Sequence, residues 1–128
     1  MPNFVEKLQV LLESRKIFKN WYIFPKIYFR LAKKKFSIFE TKSGMKIMIR
    51  TDSTDLMALT NVWMINEYNI DDYGITENDT VIDIGAHIGL FSLRVSNFCT
   101  KGKIFSYEPI KDNFECLISN IKLNQLEH

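Results

Sequence analysis

The sequence is sparing with residues that cross-link, kink or coordinate. Two cysteines, two histidines, three prolines and five glycines are spread over 128 residues. Cys99 and Cys116 form no metal-ligand pattern, so both are expected as reduced, small core residues, and no metal site is expected. The adjacent acids Asp71 and Asp72 lack the further ligands a cation needs and read as a solvated loop. Every apolar run is broken before the roughly 18 residues that suggest a membrane span. The opening MPNFVEKLQV has neither the basic nor the apolar region of a signal peptide, which makes a cytoplasmic chain the expectation. A GXXG loop and an RNP-type segment are both absent, so no nucleic-acid partner is expected.

What is present has the balance of a globular protein, with 46% hydrophobic and 25% charged residues. The length suits one small domain. The net charge of +2 hides an asymmetry. Residues 1–50 hold 12 Lys and Arg against 3 Asp and Glu, whereas residues 51–128 hold 5 against 12. The basic half also carries Trp21, Tyr22, Phe24, Tyr28, Phe29, Phe36 and Phe39. Two readings are open. One is an anionic partner, including peripheral contact with an anionic membrane surface. The other is a solvated face, or a basic part lying near the acidic part of the same protein, with the aromatic residues as local core.

Periodicity divides the chain into two parts, an N-terminal extension over 1–50 and a second region over 51–128. Asn3 and Glu6 can cap a helix carrying Phe4, Leu8, Leu11, Leu12 and Phe18 at helical spacing. Pro25 suits the first turn of a second helix, with Lys33, Lys34 and Lys35 at its C-terminal end. Residues 36–41 and 45–50 read as a β-hairpin turning at Ser43-Gly44. Asp52 or Ser53 can cap a further helix whose apolar face is Leu56, Leu59, Trp63 and Tyr68. The segment 69–79 is a polar connection. Thr80 to Ile84 is a short apolar run expected to be buried on both faces. A helix is expected over about 88–99, a second buried strand over 104–108 and an amphipathic helix over 110–125. Strand, helix, strand, helix with short loops implies parallel strands and right-handed crossovers, the opening of a doubly wound sheet.

Ligands in such sheets bind at the carboxyl ends of the strands. There the sequence reads D-I-G-A-H-I-G. Gly85 and Gly89 permit a sharp turn and a close backbone approach to a ligand. Asp83, near the strand end, can accept hydrogen bonds from an amino-bearing ligand. Glu108 closes the second strand 19 residues after Gly89 and can accept both hydroxyls of a ribose. This is the nucleoside-binding half of a Rossmann-like fold. His87 stands where a dinucleotide fingerprint would have its second glycine, which disfavours a nicotinamide-dependent oxidoreductase. As a loop residue His87 is expected to pack or bond locally rather than act as a base. Asn113, Asn120 and Asn124 are expected as helix caps and surface polar groups.

The acid-x-Gly-x-x-x-Gly arrangement resembles motif I of class I methyltransferases. Read together, VIDIGAHIGLFSL, the strand ending YEP and NFECLISNIKLN are similar to the core of the FkbM-type methyltransferases. The approach STDLMALTNVWMINEYNIDDYGI is similar too, with Asp55 and Tyr68 at matching places. The resemblance covers about residues 45–128. It implies an α/β, partial Rossmann-like parallel sheet behind a helical and β-hairpin extension. It implies S-adenosyl-L-methionine as cofactor, with Asp83, Gly85 and Gly89 lining its methionine part, Ala86 and His87 also in the cofactor-binding turn, Glu108 holding the ribose and Pro109 shaping the adenine edge. The implied reaction is O-methylation of a small-molecule or glycan acceptor such as a sugar or secondary metabolite. A class I sheet has seven strands and this chain supplies the first two. The chain is therefore expected to be truncated after the second core strand and helix and inactive by itself, its catalytic residues unknown. The alternative is a non-catalytic cofactor-binding remnant or interaction module. The oligomeric state is left open.

Overall fold

The computed structural model describes residues 4–126. The chain forms two compact units, Met1–Ile65 and Asn66–His128. The expected division at residue 50 follows composition. The compact units divide later because the helix after the hairpin packs with the hairpin.

In the first unit, helix α1 spans Phe4–Ile17 and helix α2 spans Ile23–Tyr28. The expected cap at Asn3 lies outside the described residues. The apolar spacing of α1 predicts a buried face, yet Phe4, Val5, Leu8 and Leu12 are exposed and Ser14 is the buried residue of the helix. Phe18, just past the helix, carries the packing instead. It bridges Thr41 and lies 5.1 Å from Phe39 and 6.4 Å from Trp63, ring to ring. Helix α2 ends at Tyr28, well before Lys33, Lys34 and Lys35, which therefore do not cap it. Its end is closed by two bonds, Leu31 N–H to the Lys26 carbonyl (2.7 Å) and Arg30 N–H to the Ile27 carbonyl (2.9 Å). This is a Schellman closure with Arg30 in the left-handed position (φ 55°) that glycine usually fills.

Strands β1 (Phe36–Glu40) and β2 (Lys46–Arg50) pair antiparallel, with Phe36 opposite Arg50 and Glu40 opposite Lys46. Gly44 (φ 96°) makes the turn, and Thr41 Oγ1 accepts the Met45 N–H at 2.9 Å. Asn20 clasps the outer edge of β1, donating to the Ile38 carbonyl (2.8 Å) and accepting the Glu40 N–H (2.9 Å). Helix α3 (Asp55–Leu59) runs on into a π turn at Thr60–Met64. Ser53, one of the two expected caps, accepts the Asp55 N–H at 3.1 Å. Leu59 and Trp63 are buried as expected, whereas Tyr68 lies beyond the helix and is exposed. Asp55 is fully buried and takes three bonds from Arg50: backbone N–H (2.9 Å) and Nε (2.8 Å) to Oδ2, and Nη2 (2.8 Å) to Oδ1. Removing one partner of a buried pair typically costs about 3–5 kcal/mol, so Asp55 has a structural task in this unit.

In the second unit, Ile70 opens the 69–79 connection as a buried anchor rather than a solvated residue. It packs with Val95 and Cys99, against Ile75, Val81, Phe91, Phe98 and Ile104. Strands β3 (Thr80–Ile84) and β4 (Lys103–Tyr107) are parallel, with Thr80 beside Lys103 and Ile84 beside Tyr107. Between them α4 spans only Leu90–Val95, and α5 spans Lys111–Leu123. Helix α4 is shorter than the expected 88–99 because Ile88 and Gly89 still belong to the turn and the chain past Val95 folds into turns. Cys99 thus lies in a turn, where its thiol donates to the Asp79 carbonyl at 2.9 Å. Cys116 lies in α5, and both cysteines are buried, with no disulfide joining them. The expectation that both strands are buried on two faces fails on one side. Val81, Asp83, Ile104 and Ser106 face packing, whereas Ile82, Ile84, Phe105 and Tyr107 are exposed. Two strands with α4 and α5 cover one face only, and a parallel sheet normally has both faces covered.

Candidate functional site

The carboxyl ends of β3 and β4 meet at Ile84 and Tyr107, and the glycine turn rises directly from them. The Tyr107 carbonyl accepts two N–H groups, from Gly85 and Ala86, each at 2.9 Å. This shared acceptor reverses the chain as it leaves the strand. Three alternate residues of the turn are left-handed: Gly85 (φ 79°), His87 (φ 54°) and Gly89 (φ 87°). Glycine enters that region freely; histidine does so at a cost of about 1–2 kcal/mol. The strain is held in place by Glu108, whose Oε2 accepts the His87 N–H at 2.7 Å.

Glu108 is bound from its other side as well. Its Oε1 accepts the Ile110 N–H at 2.9 Å, and Asn113 Nδ2 lies 3.5 Å away. The Ile110 N–H, with those of His87 and Asn113, holds this carboxyl below the usual range, so it is ionised at neutral pH. A carboxylate has about four lone-pair sites. Oε2 spends one on the His87 N–H and keeps one for a ligand hydroxyl, whereas Oε1 accepts from both Ile110 and Asn113, so a second hydroxyl must displace the long Asn113 contact.

The two glycines of the motif have different tasks. A Cβ at Gly85 would meet nothing within 4 Å, so the space above this residue is open. A Cβ at Gly89 would meet Leu117 Cδ1 at 2.5 Å. Gly85 leaves room for a ligand, whereas Gly89 lets α5 come close. Helix α5 also clasps the turn through Asn120. This residue is fully buried and donates from Nδ2 to the Ile88 carbonyl at 2.9 Å. The expectation that Asn120 is a surface group is thereby overturned. Its spacing from Cys116 and Leu117 on the helix was the available signal, because all three fall on one buried face.

Asp83 is on the packed face of β3, nine-tenths buried. Its Oδ2 accepts the Ser92 hydroxyl at 2.6 Å, and Ser92 is 2.7 Å from Ser106 Oγ. Burial, followed by the negative charge of Glu108, raises its carboxyl above the ordinary value, against the pull of the Ser92 bonds. Sequence reasoning passed over Ser92 and Ser106, since a lone serine in a helix or strand carries no pattern. Of the expected site residues, Gly85, Ala86, His87 and Glu108 come together at the strand ends. Pro109 follows, exposed, while Asp83 and Gly89 lie beneath. Among the described residues no group of three or more His, Cys, Asp or Glu is placed to hold a metal ion.

An open, glycine-floored turn beside an ionised carboxylate fits the ribose and adjoining part of a nucleoside cofactor. The family model for the TRM5/TYW2 methyltransferase domain matches residues 40–128, well over half of the chain. The chain belongs to this family. Methyltransferases of this family take their methyl group from S-adenosylmethionine, so the cofactor class expected from the glycine turn holds at that level. The fold expected from the motif, an α/β, partial Rossmann-like sheet, is the fold observed. The match supports methyl transfer in general and does not extend to the FkbM type. No curated protein and no solved structure matches the chain.

Proposed function

We propose that the second unit of this TRM5/TYW2-family domain holds the nucleoside of S-adenosylmethionine at the Gly85–Gly89 turn. In this reading the two hydroxyls of the ribose donate to Glu108, and the open floor at Gly85 receives the methionine side. Ala86 and His87 contribute backbone and Pro109 borders the adenine. Asp83 sets the polarity beneath the turn through Ser92. The observation that carries the reading is the Glu108 carboxylate, pinned by the His87 and Ile110 N–H groups, with a lone pair left on Oε2 and only the long 3.5 Å Asn113 contact to displace on Oε1. The bound cofactor supplies an electrophilic methyl group on a positively charged sulfur. The protein's share is then to hold that group in line with an incoming nucleophile, because well-oriented transfer needs little else.

We assign the acceptor to the FkbM type: a hydroxyl oxygen of a sugar, glycan or secondary metabolite. The support is the similarity of VIDIGAHIGLFSL, YEP and NFECLISNIKLN to that group. A cytoplasmic site of action goes with it, supported by two buried cysteines that are not joined in a disulfide. The test is transfer of a labelled methyl group from S-adenosylmethionine to a panel of sugars and glycans alongside amine-bearing acceptors. Label on hydroxylated acceptors alone is expected. Label on nitrogen or carbon acceptors with the sugars unmarked would overturn the assignment. A second reading, a cofactor-binding module without turnover, is favoured by the bare outer face of β3 and β4. It predicts cofactor binding with no transfer to any acceptor.

A further inference from the structure

We propose that the segment from Tyr22 to Lys35 is a docking surface for an anionic lipid bilayer, by which the first unit holds the protein at a membrane. The proposal is independent of the methyl-transfer reading. Between Ser14 and Phe39 the chain has eight basic residues and no acidic one. Arg30, Lys33 and Lys34 have no carboxylate partner among the described residues. Lys26 lies over the Tyr22 ring at 5.5 Å and Lys35 over the Phe36 ring at 5.5 Å, so these cations sit at aromatic faces rather than at acids.

The apolar side chains sort in a telling way. Phe24 and Ile27 turn inward and anchor α2, whereas Tyr22, Tyr28, Phe29 and Leu31 stay exposed, Phe29 at 66% and Leu31 at 68%. The expectation that the aromatics from Trp21 to Phe39 are local core is thus met by Phe24 and Phe39, while Trp21 is half-buried and Tyr22, Tyr28, Phe29 and Phe36 are exposed. The Schellman closure puts Phe29, Arg30 and Leu31 at the helix end, and Arg30 accepts a left-handed backbone to do so. A strained, non-glycine position that displays two large apolar residues is a reason to look for a task.

An anionic bilayer satisfies both halves of this surface. Phe29 and Leu31 enter the acyl boundary, tyrosines sit at the headgroup level, and lysines reach the phosphates with their stems along apolar surface. A polybasic segment is drawn to anionic lipid even before insertion. A nucleic acid would use the lysines and the aromatic rings, but Leu31 offers it neither a charge nor a stacking face. Contact is peripheral, since no helix among the described residues is long and apolar enough to cross a membrane.

Sedimentation of the protein with vesicles tests the proposal. At low salt the protein is expected to pellet with phosphatidylcholine vesicles containing phosphatidylglycerol and not with phosphatidylcholine alone. Release is expected at about 1 M salt, where the screening length falls to about 3 Å. Replacing the exposed lysines (Lys33→Glu, Lys34→Glu, Lys35→Glu) is expected to lower partitioning by roughly a hundredfold or more. The separate pair Phe29→Ser and Leu31→Ser is expected to lower it by at least about tenfold while leaving melting temperature and S-adenosylhomocysteine binding as in the wild type. Failure of the wild type to pellet with anionic vesicles overturns the proposal in favour of a solvated or internally packed basic face. Unchanged pelleting of the serine pair overturns it as well. So does a single-stranded RNA bound more tightly than the vesicles at equal salt, with the loss confined to the lysine variant.

Discussion

Glu108 and Asp83 lie close to the carboxyl ends of paired strands, yet their surroundings move them in opposite directions. Backbone N–H groups stabilise the charged form of Glu108 and lower its carboxyl. Its share of stability is present above the unfolded value and is lost as pH falls through the folded one. Asp83 is raised, chiefly by burial. Its protonated form is the one the fold favours, so its share of stability is present below the unfolded value and is lost as pH rises through the folded one. Asp83→Asn keeps the shape and removes the ionisation. The variant is expected to gain melting temperature relative to the wild type as pH rises from about 3 to about 7. A constant difference across that range would show that Asp83 ionises as freely in the fold as in the unfolded chain. Motif I exposes Asp83 as an acid before a glycine, but not that it faces Ser92 and Ser106, because those serines come from separate elements. Glu108 is legible from its place after an apolar run; its grip on the His87 N–H is not, since it depends on a left-handed histidine.

At the scale of elements, glycines separate space from backbone freedom. Gly102 has no left-handed backbone to explain it, yet a Cβ there would run into the Asp79 carbonyl, with Cys99 Sγ at 2.6 Å. The loop before β3 packs on this point, the Lys101 N–H donating to the Glu77 carbonyl (2.7 Å) and that of Lys103 to Asp79 (3.1 Å). Gly85 has the opposite character, left-handed with open space. Gly102→Ala is expected to cost about 3 kcal/mol or more, since rigid backbone must move. Gly85→Ala is expected to cost only about 1–2 kcal/mol while impairing cofactor binding. Urea denaturation and calorimetry on both variants measure the contrast. Equal destabilisation would mean that the tight packing at Gly102 relaxes freely. Sequence pattern marks Gly102 merely as punctuation, since packing against a loop 20 or more residues away leaves no local trace. The hairpin is legible because alternation over 45–50 and a Ser-Gly turn agree. Helix ends are less so: α4 gives up its first residues to the turn, and α2 stops at Tyr28, closed by a left-handed Arg30 with no glycine to announce it.

At the scale of the molecule, charge and chemistry divide together. The first unit carries the basic surface and a core built on Phe18, Phe39 and Trp63, and the second carries the glycine turn and Glu108. The general methyltransferase class and the sheet type are legible, though not the family, because strand, turn, strand and terminal acid follow one another within 30 residues, so local order in the chain becomes local order in space. The bare outer face of the sheet is less legible, because an apolar run looks the same whether one face or two are covered. In the proposed reading the turn and Glu108 form a nucleoside site for S-adenosylmethionine. Titration calorimetry of S-adenosylhomocysteine against the wild type and Glu108→Ala tests it most directly. Saturable binding by the wild type is expected, with no comparable binding of NAD and a loss of about 2–3 kcal/mol in the variant, as for losing charge-assisted hydrogen bonds to a ribose. Equal affinity of the two proteins for S-adenosylhomocysteine would contradict it.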